Sequence, residues 1–127
     1  MILKAFRDAR FQYVKARDFA VFKADNKYVT GITPDGREWL LDEGTTLKAI
    51  EAVLPDLVRL NRGVLVKRCH LTQLIRTRVG DSIAVTVVTT VGEYKLARRN
   101  CVKTIVELIE HNLRRANAPT YPTESPE

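Results

Sequence analysis

From residue 19 onward the chain alternates short runs of aromatic and β-branched residues with turn-forming clusters. FAVFKAD (19–25) and KYVTGIT (27–33) meet at Asp25 and Asn26, which reads as a hairpin. Pro34-Asp35-Gly36 makes a second turn, because proline presets one dihedral and glycine accepts a positive one, and it leads into REWLL (37–41). The period then changes. Leu47, Ala49, Ile50, Val53 and Leu54 recur at helical spacing behind a Thr45 or Thr46 cap, and Pro55 stops the helix. Extended segments follow at 57–61 and 64–67, hinged at Asn61-Arg62-Gly63, and at 71–78. Gly80-Asp81 turns the chain into SIAVTVVTT (82–90), its most β-prone stretch, and Gly92-Glu93 turns it back into YKLAR (94–98). A last helix is predicted over 98–115, with Val102, Ile105, Val106, Leu108, Ile109 and Leu113 as its apolar stripe.

The resulting order, β-β-β-α-β-β-β-β-β-α, predicts a mainly β fold with an antiparallel core and two helices at its periphery, one short and central, one longer and C-terminal. It excludes a doubly wound nucleotide fold. Residues 1–17 show no clean period and fit either an irregular strand or a short helix, so they are set apart as an N-terminal extension. The folded domain is expected over 18–116. The last eleven residues, 117–127, carry three of the five prolines and no basic residue, which predicts a disordered tail.

With 127 residues, 45% of them hydrophobic and 28% charged, the chain suits one globular domain. No apolar run approaches the roughly 18 residues of a spanning helix, and Lys4, Arg7, Asp8 and Arg10 break up the start where a secretory leader would be apolar. A cytoplasmic protein without membrane contact is expected. Phosphate-cradle, zinc-hydrolase and serine-hydrolase motifs are absent. Cys69-His70 invites a metal or thiolate reading, but Cys101 and His111 are the only further residues of their types, too few for a ligand set or an oriented nucleophile. Neither an enzyme nor a cofactor is expected.

Charge changes the picture. The net charge is +6, yet residues 57–103 hold ten bases against two acids. Lys and Arg that meet phosphates release counterions, so a segment of this balance suits a polyanion. Asn61 and Arg62 fall at a bend between strands, where side chains project from a tip. The Asn amide matches adenine and the Arg fork matches guanine. Arg98 and Arg99 fall where a strand hands over to a helix, whose first turn offers free N–H groups to a phosphate. Surface pairing of Arg62 or Arg98 with Asp56 or Glu93 is the competing use.

The segments VFKADNKYVTGITPDG, TTLKAIEAVL, RLNRGVLVKRCHLTQL and VGEYKLARRNCVKTIVEL, in that order, resemble the LytTR-type DNA-binding domain of bacterial transcriptional regulators. The resemblance spans about residues 17–110, and its most specific part is the pattern of Arg59, Arg62 and Val66. It implies stacked short antiparallel sheets whose loops enter successive major grooves at imperfect direct repeats in promoters. It places Arg62 at the base-contacting position of the central loop and Arg98 at the matching position before the last helix. Lys27, with its neighbours Asn26 and Tyr28, falls in a first hairpin loop that also reaches DNA.

Together these readings assign Arg62, Arg98, Lys27 and Asn61 to base edges. Asn26, Tyr28, Lys67, Arg68, Arg76, Arg78 and Arg99 are assigned to phosphates. The chain departs from the family at Asn61-Arg62-Gly63 (usually His-Arg-Ser), at Lys67 (usually Asn) and at Ala97 (usually Ser), which points to a different preferred sequence. Only about 17 residues precede the domain, so a free-standing module without a receiver is expected. The expected partners are double-stranded DNA and a second copy on a tandem site. The alternative reading is an interaction module that binds and modulates another transcription regulator.

Overall fold

The computed structural model describes residues 1–25, 27–97 and 102–117. Among these residues ten strands form two antiparallel sheets: β1 (Ile2–Arg7), β2 (Arg10–Lys15), β3 (Val21–Asp25), β4 (Tyr28–Ile32), β5 (Glu38–Leu41), β6 (Leu57–Asn61), β7 (Val64–Lys67), β8 (Leu71–Val79), β9 (Ser82–Thr89) and β10 (Gly92–Lys95). Two α-helices accompany them, α1 (Leu47–Val53) and α2 (Val102–Asn117). The larger sheet has seven strands in the order β2-β1-β5-β4-β3-β7-β6, and the smaller has three in the order β10-β9-β8. The fold is mainly β, as the pattern of short strands and turns predicts.

Alternation along the central strands decides the layering. Consecutive residues of a strand point to opposite faces. Phe22 and Leu65 therefore enter one core with Leu41 and with Leu47 and Ile50 of α1. Their neighbours Val21 and Val66 enter a second core with Leu71, Val87 and Leu96, closed by Ile105 and Ile109 of α2. The large sheet is thus the middle layer, with α1 on one side and the small sheet and α2 on the other. Burial on both faces explains why β7 reads as an unbroken apolar run rather than an alternating one.

Local signals place α1 where the sequence does. The Thr46 hydroxyl accepts the Ala49 N–H at 3.1 Å, which settles the choice of cap, and Leu54 closes the last turn just before Pro55.

Residues 1–17 are a finding that periodicity could not supply. They form a hairpin, β1 and β2, with β1 hydrogen-bonded to β5. Leu3 and Ala5 alternate into the α1 core, but no residue of β2 is buried, so only half of the hairpin carries a hydrophobic period. Its two-residue turn, Asp8-Ala9, holds φ values of 54° and 63°, a conformation that Asn-Gly usually announces. β2 is an outer strand of the sheet, and it exposes Phe11 by 54% and Tyr13 by 69%. The Lys4 ammonium lies 4.4 Å from the Phe11 ring centre. Of the expected tail, Asn117 ends α2, and residues 118–127 lie outside the described residues.

Candidate nucleic-acid interface

Three segments distant in sequence are tied together at one end of the large sheet. The β6–β7 turn is Arg62-Gly63, and the Gly63 carbonyl accepts the Ala24 N–H at 2.8 Å, which fastens this turn to the end of β3. On its other side the Leu60 carbonyl accepts the Ala97 N–H at 2.9 Å, fastening it to the segment that leaves β10. Asn61 locks the arrangement: its Oδ1 accepts the Gly63 N–H at 2.8 Å and its Nδ2 donates to the Lys95 carbonyl at 2.6 Å. Side-chain hydrogen bonds of this kind hold a tip in one geometry before anything binds it.

The consequence is a shared edge of exposed cations. Arg62 projects from the central turn, Lys27 and Tyr28 from the β3–β4 hairpin, and Lys95 from β10, all of them exposed. Lys95 was not singled out by sequence reasoning, because only the long-range bonds of Asn61 and Ala97 bring it beside Arg62; the basic character of the segment was its one visible signal. Asn61 itself is half-buried, with one amide proton and one carbonyl lone pair already engaged. Asn26, Arg98 and Arg99 lie outside the described residues.

Facing the Arg62 turn is the far end of the small sheet. β10 pairs with β9 only over Thr86–Thr89, and one more bond, Leu96 N–H to the Val85 carbonyl, extends the contact. Beyond it β8 and β9 continue as a two-stranded ribbon, with Thr77 opposite Ala84, Arg78 opposite Ile83 and Val79 opposite Ser82. An open groove of about 720 Å³ separates the two parts, with Asn61 and Arg62 on one lip and Val79 and Ile83 on the other; buried Leu96 and half-buried Val102 also line it. Arg78 sits on this ribbon, and Arg76 lies two residues nearer the body, in a shallow dent beside α2.

Lys67 and Arg68 are elsewhere. They follow the opposite end of β7, and four residues of extended chain separate Lys67 from Gly63, roughly 13 Å. The Lys67 ammonium donates to the Arg17 carbonyl at 2.9 Å, and the Arg68 carbonyl accepts from the Asn112 amide at 2.8 Å. Close by, burial pulls the His70 imidazole below its usual 6.5, with the charge of Lys67 adding to the effect. His70 Nδ1 is 2.6 Å from the Thr90 hydroxyl. Among the described residues no three His, Cys, Asp or Glu side chains gather where they could hold a metal ion. No described helix is long and apolar enough to cross a membrane.

The sequence matches no family model and no curated protein. Among solved structures the chain is similar to a LytTr DNA-binding domain from Bacillus cereus, part of a protein named as a methyl-accepting/DNA response regulator. The two share 11% sequence identity and superpose with a TM-score of 0.58 over 88% of this chain and 95% of that one. At that identity the likeness is one of backbone architecture: this chain shares its fold with that domain.

Proposed function

We propose that the chain is a sequence-specific double-stranded DNA-binding regulator of transcription that reads direct-repeat promoter sites through its loops in the major groove. The observation that carries this reading is the fastening of the β3–β4, β6–β7 and β10-exit segments into one edge, on which Lys27, Arg62 and Lys95 stand exposed. A preformed cationic edge loses little side-chain and loop freedom on binding, and a duplex supplies both its phosphates and its base edges. The shared architecture with a LytTr DNA-binding domain supports the same reading.

In this mechanism Arg62, Arg98 and Lys27 reach base edges. Asn61 aims Arg62 and keeps one amide proton for a base. Asn26, Tyr28, Arg76, Arg78, Lys95 and Arg99 hold phosphates. Lys67 and Arg68 follow the opposite end of β7, and with the Lys67 ammonium on the Arg17 carbonyl this mechanism gives them no part at the Arg62 edge. A second copy occupies the neighbouring repeat.

The test is selection of bound fragments from sheared genomic DNA at about 150 mM salt, where exposed charges more than about 8 Å apart are largely screened. Enrichment of fragments that share a spaced direct repeat is expected. On such a fragment Arg62→Ala should cost about 1–3 kcal/mol and relax preference at one base position. Retention of random DNA that disappears as salt rises, with no enrichment, would overturn the proposal.

A further inference from the structure

One face of the large sheet is only half covered. Its strands β3, β4, β6 and β7 send residues into the core beneath the small sheet and α2, and β1, β2 and β5 send none. Those three strands use their other face for the α1 core, through Leu3, Ala5, Val14 and Leu41. Register then puts Lys4 and Phe6 of β1, Phe11, Tyr13 and Lys15 of β2, and Leu40 of β5 together on the bare half. Tyr13 is 69% exposed, Phe11 54% and Leu40 41%, so an apolar patch stands in water with no covering element among the described residues. Glu38, the acid of this face, stands at its inner border, near enough to Tyr94 of the small sheet for its charge to be felt there.

We propose that this bare half-face binds a single strand of nucleic acid, with unpaired bases stacked on Phe11 and Tyr13 and phosphates met by Lys4 and Lys15. Charge separates the occupants that an apolar patch could take. A second copy would bring its own Lys4 and Lys15 against these two, whereas a strand of phosphates brings the opposite sign. The rings decide the form of the nucleic acid. A duplex keeps the faces of its bases in its own stack, while a single strand can splay its bases onto aromatic side chains. The Phe11 and Tyr13 rings stand 6.1 Å apart and at 89° to each other, so they take two separate bases rather than one. The Lys4 ammonium, 5.5 Å from the Phe6 ring centre and closer to that of Phe11, keeps a cation in the middle of the patch. β2 and β6 are the two margins of the large sheet, so this surface lies apart from the Arg62 turn and does not rest on the duplex reading.

The probes are uridine and thymidine homopolymers of about twelve nucleotides, which do not pair with themselves, and a duplex with the same number of phosphates. Binding is read by fluorescence anisotropy at about 150 mM salt, for the full chain and for the double variant Phe11→Thr, Tyr13→Thr. Threonine keeps the strand preference and carries no ring, so circular dichroism and thermal melting should show the fold intact while stacking is lost. The double variant is expected to bind the single strands at least about tenfold more weakly than the full chain, and the duplex within about a factor of two of it. Should it melt early, Lys15→Gln takes its place: the salt slope on the single strand should flatten by about 0.7 and that on the duplex should stay. Tighter binding of uridine marks RNA as the ligand, tighter binding of thymidine marks unwound DNA, and equal binding a site for either. Single-strand binding that is the same in the full chain and the double variant overturns the proposal, since the strand then sits on cations elsewhere. Absence of single-strand binding by the full chain overturns it as well, and a dimer in sedimentation that the double variant dissociates would then assign the face to a second copy. Neither result touches the duplex proposal.

Discussion

Gly31 shows how tightly the middle layer is built. A Cβ at this position of β4 would stand 2.7 Å from two atoms of the Phe19 ring, a side chain that is itself fully buried in the α1 core. The ring has nowhere to go, so Gly31→Ala should destabilise the fold by about 1–3 kcal/mol in urea denaturation, with the slope unchanged. His70 gives a residue-scale dependence on pH. Its pKa is lowered by the fold, so the unfolded chain takes up the proton more readily. The stability this residue carries is therefore present above about pH 6.5 and is lost as pH falls from there through the lowered native value. Melting followed between pH 7.5 and 5.5 should show stability falling with acid, and His70→Asn should make that decline shallower. At this scale the sequence was a good guide to chemistry and a poor one to geometry. Arg62 could be placed on a tip from the glycine that follows it, whereas the two bonds made by Asn61 join it to residues 2 and 34 positions away, and only the first has a local signature.

Among the elements, the hairpin of β1 and β2 is the one held against its own preference. Ala9 occupies a left-handed turn position that costs an ordinary residue roughly 1–2 kcal/mol, while glycine enters it freely. Ala9→Gly should raise stability by about 0.5–1 kcal/mol after its larger unfolded-state entropy is deducted, seen as a rise of a few degrees in Tm. The same residue hid the hairpin from sequence reading, since Asp-Ala does not announce a type I′ turn. Elements buried on one face, such as α1, or on two, such as β7, were legible because burial imposes a period or a run. β2, in which only Val14 is even partly buried, carries neither. The ribbon beyond Thr86 was legible as strands from its β-branched residues, but its projection past β10 depends on where the pairing stops, a property of three strands together.

For the molecule as a whole, the basic segment divides into two regions. Lys95 belongs to the edge around Arg62, and Lys67 belongs to the opposite end, where a backbone carbonyl already holds its ammonium. On a selected duplex, Lys95→Ala should flatten the dependence of log affinity on log salt by about one unit, the release of one phosphate's counterions. Lys67→Ala should leave that slope as it is. Equal slopes for the two variants would mean that the charge acts as a diffuse field and that the edge has no special part in binding. Counting bases along the chain located the segment but could not divide it, because the division follows strand direction.

β2 ends the large sheet with unpaired backbone groups beside exposed Phe11 and Tyr13, the composition of a strand that templates its own addition. What guards it is charge: Arg10 and Lys15 bracket the strand and Lys4 lies against the Phe11 ring, so copies approaching edge to edge meet cation against cation. At about 1 M salt that repulsion reaches only about 3 Å, and the apolar attraction survives. The wash that would strip bound nucleic acid from this chain is therefore also the condition that lowers its colloidal guard, and light scattering should rise at the step meant to purify it.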